Sequence, residues 1–348
     1  MGTKAIQVLD TATWRTMPGN QGSLNIEGAE IDDTIFGQSY RSSFPGIRQW
    51  NIAAQAYYKG VAGYKATLKM KGTPTALTDH PISPVTGKTC RITDVSKSVW
   101  DRSTALTFKD GGVAIPAANI VSINYLFGEV TFTAGTTFTA GGTALTVTGS
   151  YLPMAQVCKF NNMTLTMQTD TIDKTDSCEA NINGGYRVYD PGLRTVRIEL
   201  SGFYDASQGW QDKIGTGQEY VLELSADGLA TGSKARGFFQ LLSGGLSGNV
   251  GALEEQTLNF GHSVPVDVDP VFAWQHGVTS TLPLAMKKVL DSFIAQTLIQ
   301  ARYLPDGLAG WSGSGVVTDA SMTVGLEQLP QFNFTCQGSG ALAPITLP

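Results

Sequence analysis

Apolar and polar residues alternate along most of this chain, the two-residue period of a half-buried β-strand. From Arg48 to Tyr58 the apolar positions Trp50, Ile52, Ala54 and Ala56 fall on one side. From Tyr64 to Lys71 the same pattern recurs with Ala66, Leu68 and Met70. Further strands are predicted at Lys4–Leu9, Ser23–Ile31, Gln156–Met167, Thr195–Tyr204, Glu219–Ser225, Gly237–Leu242, Leu253–Phe260, Leu298–Tyr303, Gly315–Val324 and Gln331–Cys336. Residues 1–19 read as an arm that Pro18-Gly19 turns back. One stretch changes period. Leu282, Met286, Val289, Leu290, Phe293 and Ile294 recur at helical spacing, with Thr281 as N-cap, Pro283 in the first turn and Ala295 or Gln296 at the end. A shorter helix is expected after Asp205, with Trp210 and Ile214 on one face and Gly215 closing it.

The chain repeats itself, and one copy is inserted into the other. Pro45-Gly46-Ile47-Arg48 leads through Ile52 to Tyr57-Tyr58, and Pro191-Gly192-Leu193-Arg194 leads through Ile198 to Phe203-Tyr204. Upstream, Asp33-Thr34-Ile35 matches Asp170-Thr171-Ile172. Downstream, Asp227-Gly228-Leu229-Ala230 recurs as Asp306-Gly307-Leu308-Ala309. Val250-Gly251 leading to Asn259-Phe260-Gly261 recurs as Val324-Gly325 leading to Asn333-Phe334. Both copies share one order: strand, long loop, strand, helix, three strands. The long loops are 32–46 and 169–190. Residues 72–87 read as a Thr/Pro/Gly linker. Beyond them Cys90–Thr93, Leu106–Lys109, Ile120–Tyr125, Val130–Phe132 and Leu145–Gly149 form β-patterned runs that match neither copy. The expected division is 1–76 (first domain, first part), 77–152 (inserted β subdomain), 153–265 (second domain) and 266–348 (first domain, second part, helix about 282–296).

Composition narrows the function. Of 348 residues 15% are charged and 40 are glycine, a β-rich balance with much of its surface covered. A net charge of −5 without a Lys/Arg run disfavours nucleic-acid binding. The N-terminus lacks a signal peptide's apolar core and no run is long enough to span a bilayer, so a soluble, cytoplasmically made protein is expected. Cys90, Cys158, Cys178 and Cys336 form no CxxC pair and read as small buried hydrophobes. His80, His262 and His276 have no metal-ligand spacing. Asp267-Val268-Asp269 sits between prolines as a connector, and Gly244-Gly245-Leu246-Ser247-Gly248 reads as a turn between strands. No GxSxG, Walker or dinucleotide-binding motif occurs. Neither a catalytic residue, a cofactor site nor a metal site is assigned, and an enzyme is not expected.

Leu24-Asn25-Ile26-Glu27-Gly28, Ile31-Asp32-Asp33-Thr34, Gly37 and the Gly46–Tyr58 strand together resemble the start of major tail tube proteins of long-tailed, non-contractile bacteriophages. Met163–Thr166 and the Gly192–Tyr204 strand resemble the same unit again. Ile92-Thr93-Asp94, Val99-Trp100-Asp101, Gly128 with Val130-Thr131-Phe132, and Tyr151-Leu152-Pro153-Met154 resemble an insertion found in some of them. The resemblance implies a mainly β fold: two nested tail-tube-type β-sandwich or half-barrel domains, each with one flanking helix, plus a small inserted β subdomain for which decoration of the outer wall is expected, with an inter-ring role as the alternative. It implies self-assembly into stacked rings around a hollow tube that carries phage DNA without binding it specifically. Because the domain is duplicated, three chains would complete a pseudo-six-fold ring, and three at −5 each give −15 per ring. The implied partners are the chain itself and the tape measure, tail terminator and distal tail proteins, with no membrane. The implied location is a virion tail assembled in the host bacterial cytoplasm. Contacts between rings or subunits are implied for Asp33, Thr34, Gly37, Arg41, Arg48, Asp170, Asp173, Arg187 and Arg194. The competing readings are a decoration or carbohydrate- and receptor-binding β-sandwich, for which an exposed aromatic cluster is expected, and the tube subunit of a contractile injection system.

Overall fold

The computed structural model describes residues 4–33, 43–58, 65–139, 144–229, 231–248, 250, 253–263, 270–277, 279–280 and 282–347. The protein is mainly β, with a curled half-barrel sheet. The chain opens with β1 (Ala5–Asp10), β2 (Thr13–Thr16), β3 (Gly19–Asp32), β4 (Ser43–Tyr57) and β5 (Thr67–Lys71). Seven strands follow that pair only among themselves: β6 (Thr75–Thr86), β7 (Thr89–Ile92), β8 (Thr107–Asp110), β9 (Val113–Ala114), β10 (Ile120–Asn124), β11 (Glu129–Phe132) and β12 (Leu145–Tyr151). Next come β13 (Met154–Gln156), β14 (Phe160–Asp173), α1 (Ser177–Ile182), β15 (Tyr189–Phe203), β16 (Glu219–Ser225), β17 (Lys234–Ser247), β18 (Glu255–His262) and β19 (Phe272–Gln275). The chain ends with α2 (Leu284–Ala295), β20 (Ile299–Leu304), β21 (Ala309–Gly325), β22 (Gln331–Gly338) and β23 (Ala343–Thr346).

Strand pairing runs in the same order in two parts of the large sheet. One repeat has the order β2-β1-β20-β21-β22-β4-β3, and the other β13-β5-β16-β17-β18-β15-β14. Registers agree as well as order. In β3 and β4, Leu24 faces Ile52, with irregularities at Gly19/Gln21 and Gly28/Glu30. In β14 and β15, Leu165 faces Ile198, with irregularities at Phe160/Asn162 and Thr169/Thr171, the same distances along the strand. Ile52 pairs with Cys336 on β22 as Ile198 pairs with Phe260 on β18. The shared bulges bend both hairpins alike.

This register corrects two of the sequence matches. With Leu24 on Leu165, the ladder equates Ile31-Asp32 with Ile172-Asp173 and not Asp33-Thr34-Ile35 with Asp170-Thr171-Ile172. Phe260 corresponds to Cys336, so the Asn259-Phe260 and Asn333-Phe334 match is two residues out. A two-residue slip leaves every side chain on its own face, so alternation does not expose it. The Asp227 and Asp306 turns do correspond. Each Oδ1 accepts from the backbone two residues on, Leu229 N at 3.1 Å and Leu308 N at 2.8 Å.

Other expectations shift. Residues 72–87 are not a linker: β6 occupies most of them. Its first half pairs with β12 and its second with β7, so the strand changes partner near Pro81 and neither half needs both edges of the prolines. The expected helix after Asp205 is two short 3₁₀ turns, Ala206–Gln208 and Gln211–Lys213, separated by Gly209 at φ 55°. The loop 169–190 carries α1, capped by Asp176. Gly244 to Ser247 belong to β17 and are strand, not turn. Helix α2 starts at Leu284 after Pro283 and ends at Gln296 (φ 51°); Thr281 lies outside the described residues.

The apolar face of the large sheet holds the core. Met286, Val289, Leu290 and Phe293 of α2 close it over the first repeat. Trp210, between the 3₁₀ turns, stacks edge-on to Phe260 at 5.9 Å and closes it over the second. Trp50 lies between two glycines. A Cβ added at Gly338 would come within 2.1 Å of the indole and one at Gly313 within 2.4 Å. Its Nε1 donates to Gly340 O at 3.0 Å. Gly338→Ala should therefore lose about 1–3 kcal/mol of stability by overpacking. Calorimetry would register this as a lower Tm, and an unchanged Tm would mean that the indole is free to move.

The seven inserted strands interrupt the β5–β13 hairpin, whose counterpart β1–β2 closes in a tight turn. They have a core of their own around Trp100, Phe108 and Phe132. A second cluster, with Val99, Leu126, Phe127 and Leu152, packs on Val221 and Phe238 of the large sheet.

Candidate assembly surface

Among the described residues one strand pair fuses the two repeats into one sheet. The outer edge of β14 pairs antiparallel with the far half of β21, from Asn162 opposite Gly325 to Gln168 opposite Asp319. On the core side Met163, Leu165 and Met167 meet Ala320, Met322 and Val324, and all six are buried. On the other side the Thr164 and Thr323 hydroxyls lie 3.3 Å apart, and Gln168 Nε2 donates to Asp319 Oδ2 at 3.3 Å. Burial raises the pKa of the Asp319 carboxyl, against the Gln168 hydrogen bond that lowers it.

The same two edges exist once more and are open. β3 occupies in the first repeat the place of β14, and among the described residues it pairs with β4 alone. The far half of β17 takes the place of the β21 half; one of its sides is held by β18 and the other is unpaired among the described residues. Ser243 to Ser247 are all exposed, and so are Ile26 at 43% and Leu246 at 49%. Their counterparts in the closed joint, Met167 and Met322, are 0% and 1% exposed.

Around the joint, on β3, β4, β22, β14, β15, β18 and the far halves of β21 and β17, the face of the sheet opposite the core is polar in both repeats. It contains two matching hollows. Gln21, Ser23, Gln55, Asn333 and Thr335 line one of about 380 Å³. Asn162, Thr164, Ser201, Thr257 and Asn259, the equivalent positions, line the other, also of about 380 Å³. By strand alternation the ionisable residues on this face of β3, β4, β22, β14, β15, β18 and the far halves of β21 and β17 are Glu27, Glu199, Glu255 and Asp319 against Arg197, a mostly uncharged surface with an acidic balance.

The residues expected at subunit contacts are partly engaged inside the chain. The Arg48 guanidinium donates to Gly184 O and lies 4.3 Å over the Tyr186 ring. Its backbone is clipped to the same loop by Arg48 N to Gly185 O at 2.7 Å and Arg187 N to Arg48 O at 2.9 Å. Arg194 Nη1 donates to Ile294 O at 2.5 Å, at the carbonyl end of α2. Each corner arginine thus holds the other repeat. Arg187 Nη1 and Asp173 Oδ2 form an ion pair at 2.8 Å. Thr175 chiefly, and Arg187 besides, hold the Asp173 carboxyl below its ordinary range against the opposing effect of burial. Asp170 is exposed, and Asp33 is half-buried at the end of β3. Thr34, Gly37 and Arg41 lie outside the described residues.

Of the cysteines, Cys90 and Cys336 are buried, and burial lifts the Cys336 thiol to about 12. Cys158 and Cys178 are exposed, contrary to the buried reading. Among the described residues no three His, Cys, Asp or Glu side chains converge on a metal position, and no helix is long and apolar enough to cross a membrane. Asp267-Val268-Asp269 lies outside the described residues. Trp50, Trp100, Trp210 and Trp274 are buried.

No protein-family model and no curated protein matches the chain. Among solved structures, it is similar to a chain of the virion of a native gene transfer agent particle, with a TM-score of 0.29 and 13% identity over 35% of this chain and 88% of the other. It is also similar to a chain from the tail of an empty particle of that kind, refined with helical and C6 symmetry, with a TM-score of 0.28 and 16% identity over 36% and 87%.

Proposed function

We propose that this protein is a structural virion component that self-assembles into the tube of a phage-type tail. The observation that carries the reading is the edge-to-edge fusion of two equivalent repeats into one curved sheet, with the same two edges left open at its ends. Exposed edges of this length are an aggregation hazard unless something pairs them. A ring pairs every one of them. With two repeats per chain and six repeats per ring, the latter taken from the sequence resemblance, three chains close the ring. The resemblance in Leu24–Thr34 and Gly46–Tyr58 supports the same assignment.

In this arrangement the polar face turns to the lumen. Thr, Ser, Asn and Gln side chains present no fixed positive charge to a phosphate backbone, and four carboxylates against one arginine repel it mildly. DNA then slides and is not bound. The inserted strands, anchored to the second repeat, sit on the outer wall. Tape measure, tail terminator and distal tail proteins are the partners such a tube requires. Trp50, Trp100, Trp210 and Trp274 are in the core, which leaves Trp311 and the half-buried Trp14 as the tryptophans with surface to offer a carbohydrate.

Negative-stain electron microscopy of the purified protein, with light scattering on the same sample, tests the proposal. Stacked hollow rings or tubes are expected. A monodisperse monomer that no tail initiator converts into rings would reject it.

A further inference from the structure

We infer that the seam between the inserted strands and the large sheet holds a small oxyanion of the phosphate class, bound at Lys234. The inference goes beyond the tube reading and does not depend on it.

Along β17, Lys234, Arg236 and Phe238 alternate onto the face that the insert covers. Phe238 packs with Val99, Leu126 and Phe127 of the insert. One row along, Arg236 is buried against Glu223. One row further the seam opens into a cleft of about 210 Å³, lined by Arg91 and Val95 of the insert and by Gly232, Lys234 and Gln275 of the large sheet and its turns. A single water needs only about 10–15 Å³.

The charges around this cleft do not cancel. Arg91 holds Glu129 through Nε and Nη2, and Arg236 holds Glu223 through Nε and Nη2. Lys234 is left over. Its side chain is 14% exposed, and Glu223 Oε1, the carboxylate oxygen within its reach, is 3.9 Å away. That oxygen is shared with Lys69 at 3.4 Å. Among the described residues the Lys234 ammonium makes no hydrogen bond. Burial chiefly, with Arg236 and Lys69, holds it below the ordinary lysine range, against Glu223 and Asp227. A buried ammonium without an acceptor favours an anion beside it.

Further donors line the same cleft. Arg91 Nη1 has no acceptor among the described residues. Gln275 lies directly across the ladder from Lys234, gives one amide hydrogen to Glu129 at 3.4 Å and has a second. Ammonium, guanidinium and amide together suit a tetrahedral oxyanion, through charge-assisted hydrogen bonds. Once bound, the anion ties Arg91 of β7 to Lys234 of β17 and latches the insert to the large sheet.

Isothermal titration calorimetry of the whole chain with inorganic phosphate should find one ion per chain, and the Tm should rise with phosphate. Lys234→Met keeps the stem and removes the ammonium. It should weaken binding about tenfold or more and flatten the rise in Tm. Lys109→Met, whose partner is Asp79, should change neither. Phosphate also stabilises folded proteins by exclusion from their surface, an effect common to all three chains that drops out of the comparison. Phenyl phosphate, titrated in parallel, separates two sources of the group. Tighter binding of the free ion assigns the site to inorganic phosphate, and tighter binding of the ester assigns it to a phosphorylated molecule. A parent chain that takes up neither would overturn the inference without any variant, and so would equal affinity in Lys234→Met. Ring formation is read separately, by microscopy, and stands or falls on its own.

Discussion

Leu246→Lys should leave the chain folded and abolish its assembly. In the free chain Leu246 is 49% exposed, so a lysine there changes stability by no more than about 0.5 kcal/mol. In the assembled sheet it takes the place of Met322, which is 1% exposed. An unpaired ammonium at that depth costs about 4 kcal/mol, roughly a thousandfold in the association constant of each joint. Every joint of a closed ring carries the same penalty. Size-exclusion chromatography with light scattering should find a monomer at concentrations where the parent chain forms rings, with an unchanged Tm. Val113→Lys is the control. Val113 is 73% exposed in the inserted subdomain, and its replacement should leave assembly intact. Rings of normal size from Leu246→Lys would mean that this edge is not used.

The second large effect concerns the anchor between the inserted strands and the large sheet. Arg236 on β17 is 4% exposed and Glu223 on β16 is 1% exposed. Arg236 Nε donates to Glu223 Oε2 at 2.7 Å. Its Nη1 donates to Ser98 Oγ at 2.8 Å and to Leu126 O at 2.7 Å, both in the insert. The guanidinium also lies 4.7 Å over the Phe127 ring. Arg236→Met removes all of this and leaves a buried carboxylate with Lys69 at 3.4 Å and Lys234 at 3.9 Å as its remaining ion pairs. A loss of about 3 kcal/mol is expected in denaturant unfolding. Glu223→Leu combined with Arg236→Met should cost less than Arg236→Met alone, because no buried charge is then left uncompensated.

The pH dependence follows from the same pair. Burial raises the Glu223 pKa, but Arg236, Lys234 and Lys69 outweigh it and the net shift is downward. A carboxyl depressed in the folded state contributes stability above its unfolded pKa and loses it as pH falls through the folded value. The parent chain should therefore weaken on the acid side of the ordinary glutamate range, and Arg236→Met should show a flatter acid limb. Equal acid limbs would place the proton uptake elsewhere.

The strands of this fold were largely legible because most bury one face, and alternation records that. Glu219–Ser225 was located to the residue. Pro45-Gly46 and Pro191-Gly192, matched in the sequence, both sit at a bulge at the same point of their ladders. What failed, failed for physical reasons. The Asn259 and Asn333 match slipped by two because a sheet's period is two. β6 read as a linker because Pro81 and Pro84 sit where the strand passes from one partner to the next. The second flanking helix shrank to 3₁₀ turns, since the single bulky Trp210 fills space that a four-residue stripe of α2 fills in the other repeat. The assembly surface was least legible. Ser243–Gly248 is small, polar and Gly-rich, which in sequence marks a turn. Only its counterpart in β21, already paired by β14, shows that this is a strand with an open side. Arg48 and Arg194 donate to the carbonyls of Gly184 and Ile294, which belong to distant parts of the chain and leave no local signal.

The central claim is that the two repeats sit side by side in one tube wall. Cryo-electron microscopy of the assembled protein, resolved well enough to trace single chains, tests it most directly. The account predicts rings of three chains with six quasi-equivalent repeats, β3 paired to the neighbour's β17, and the polar face on the lumen. Six chains per ring with one repeat outside the wall, or a lumen lined by the apolar face, would contradict it.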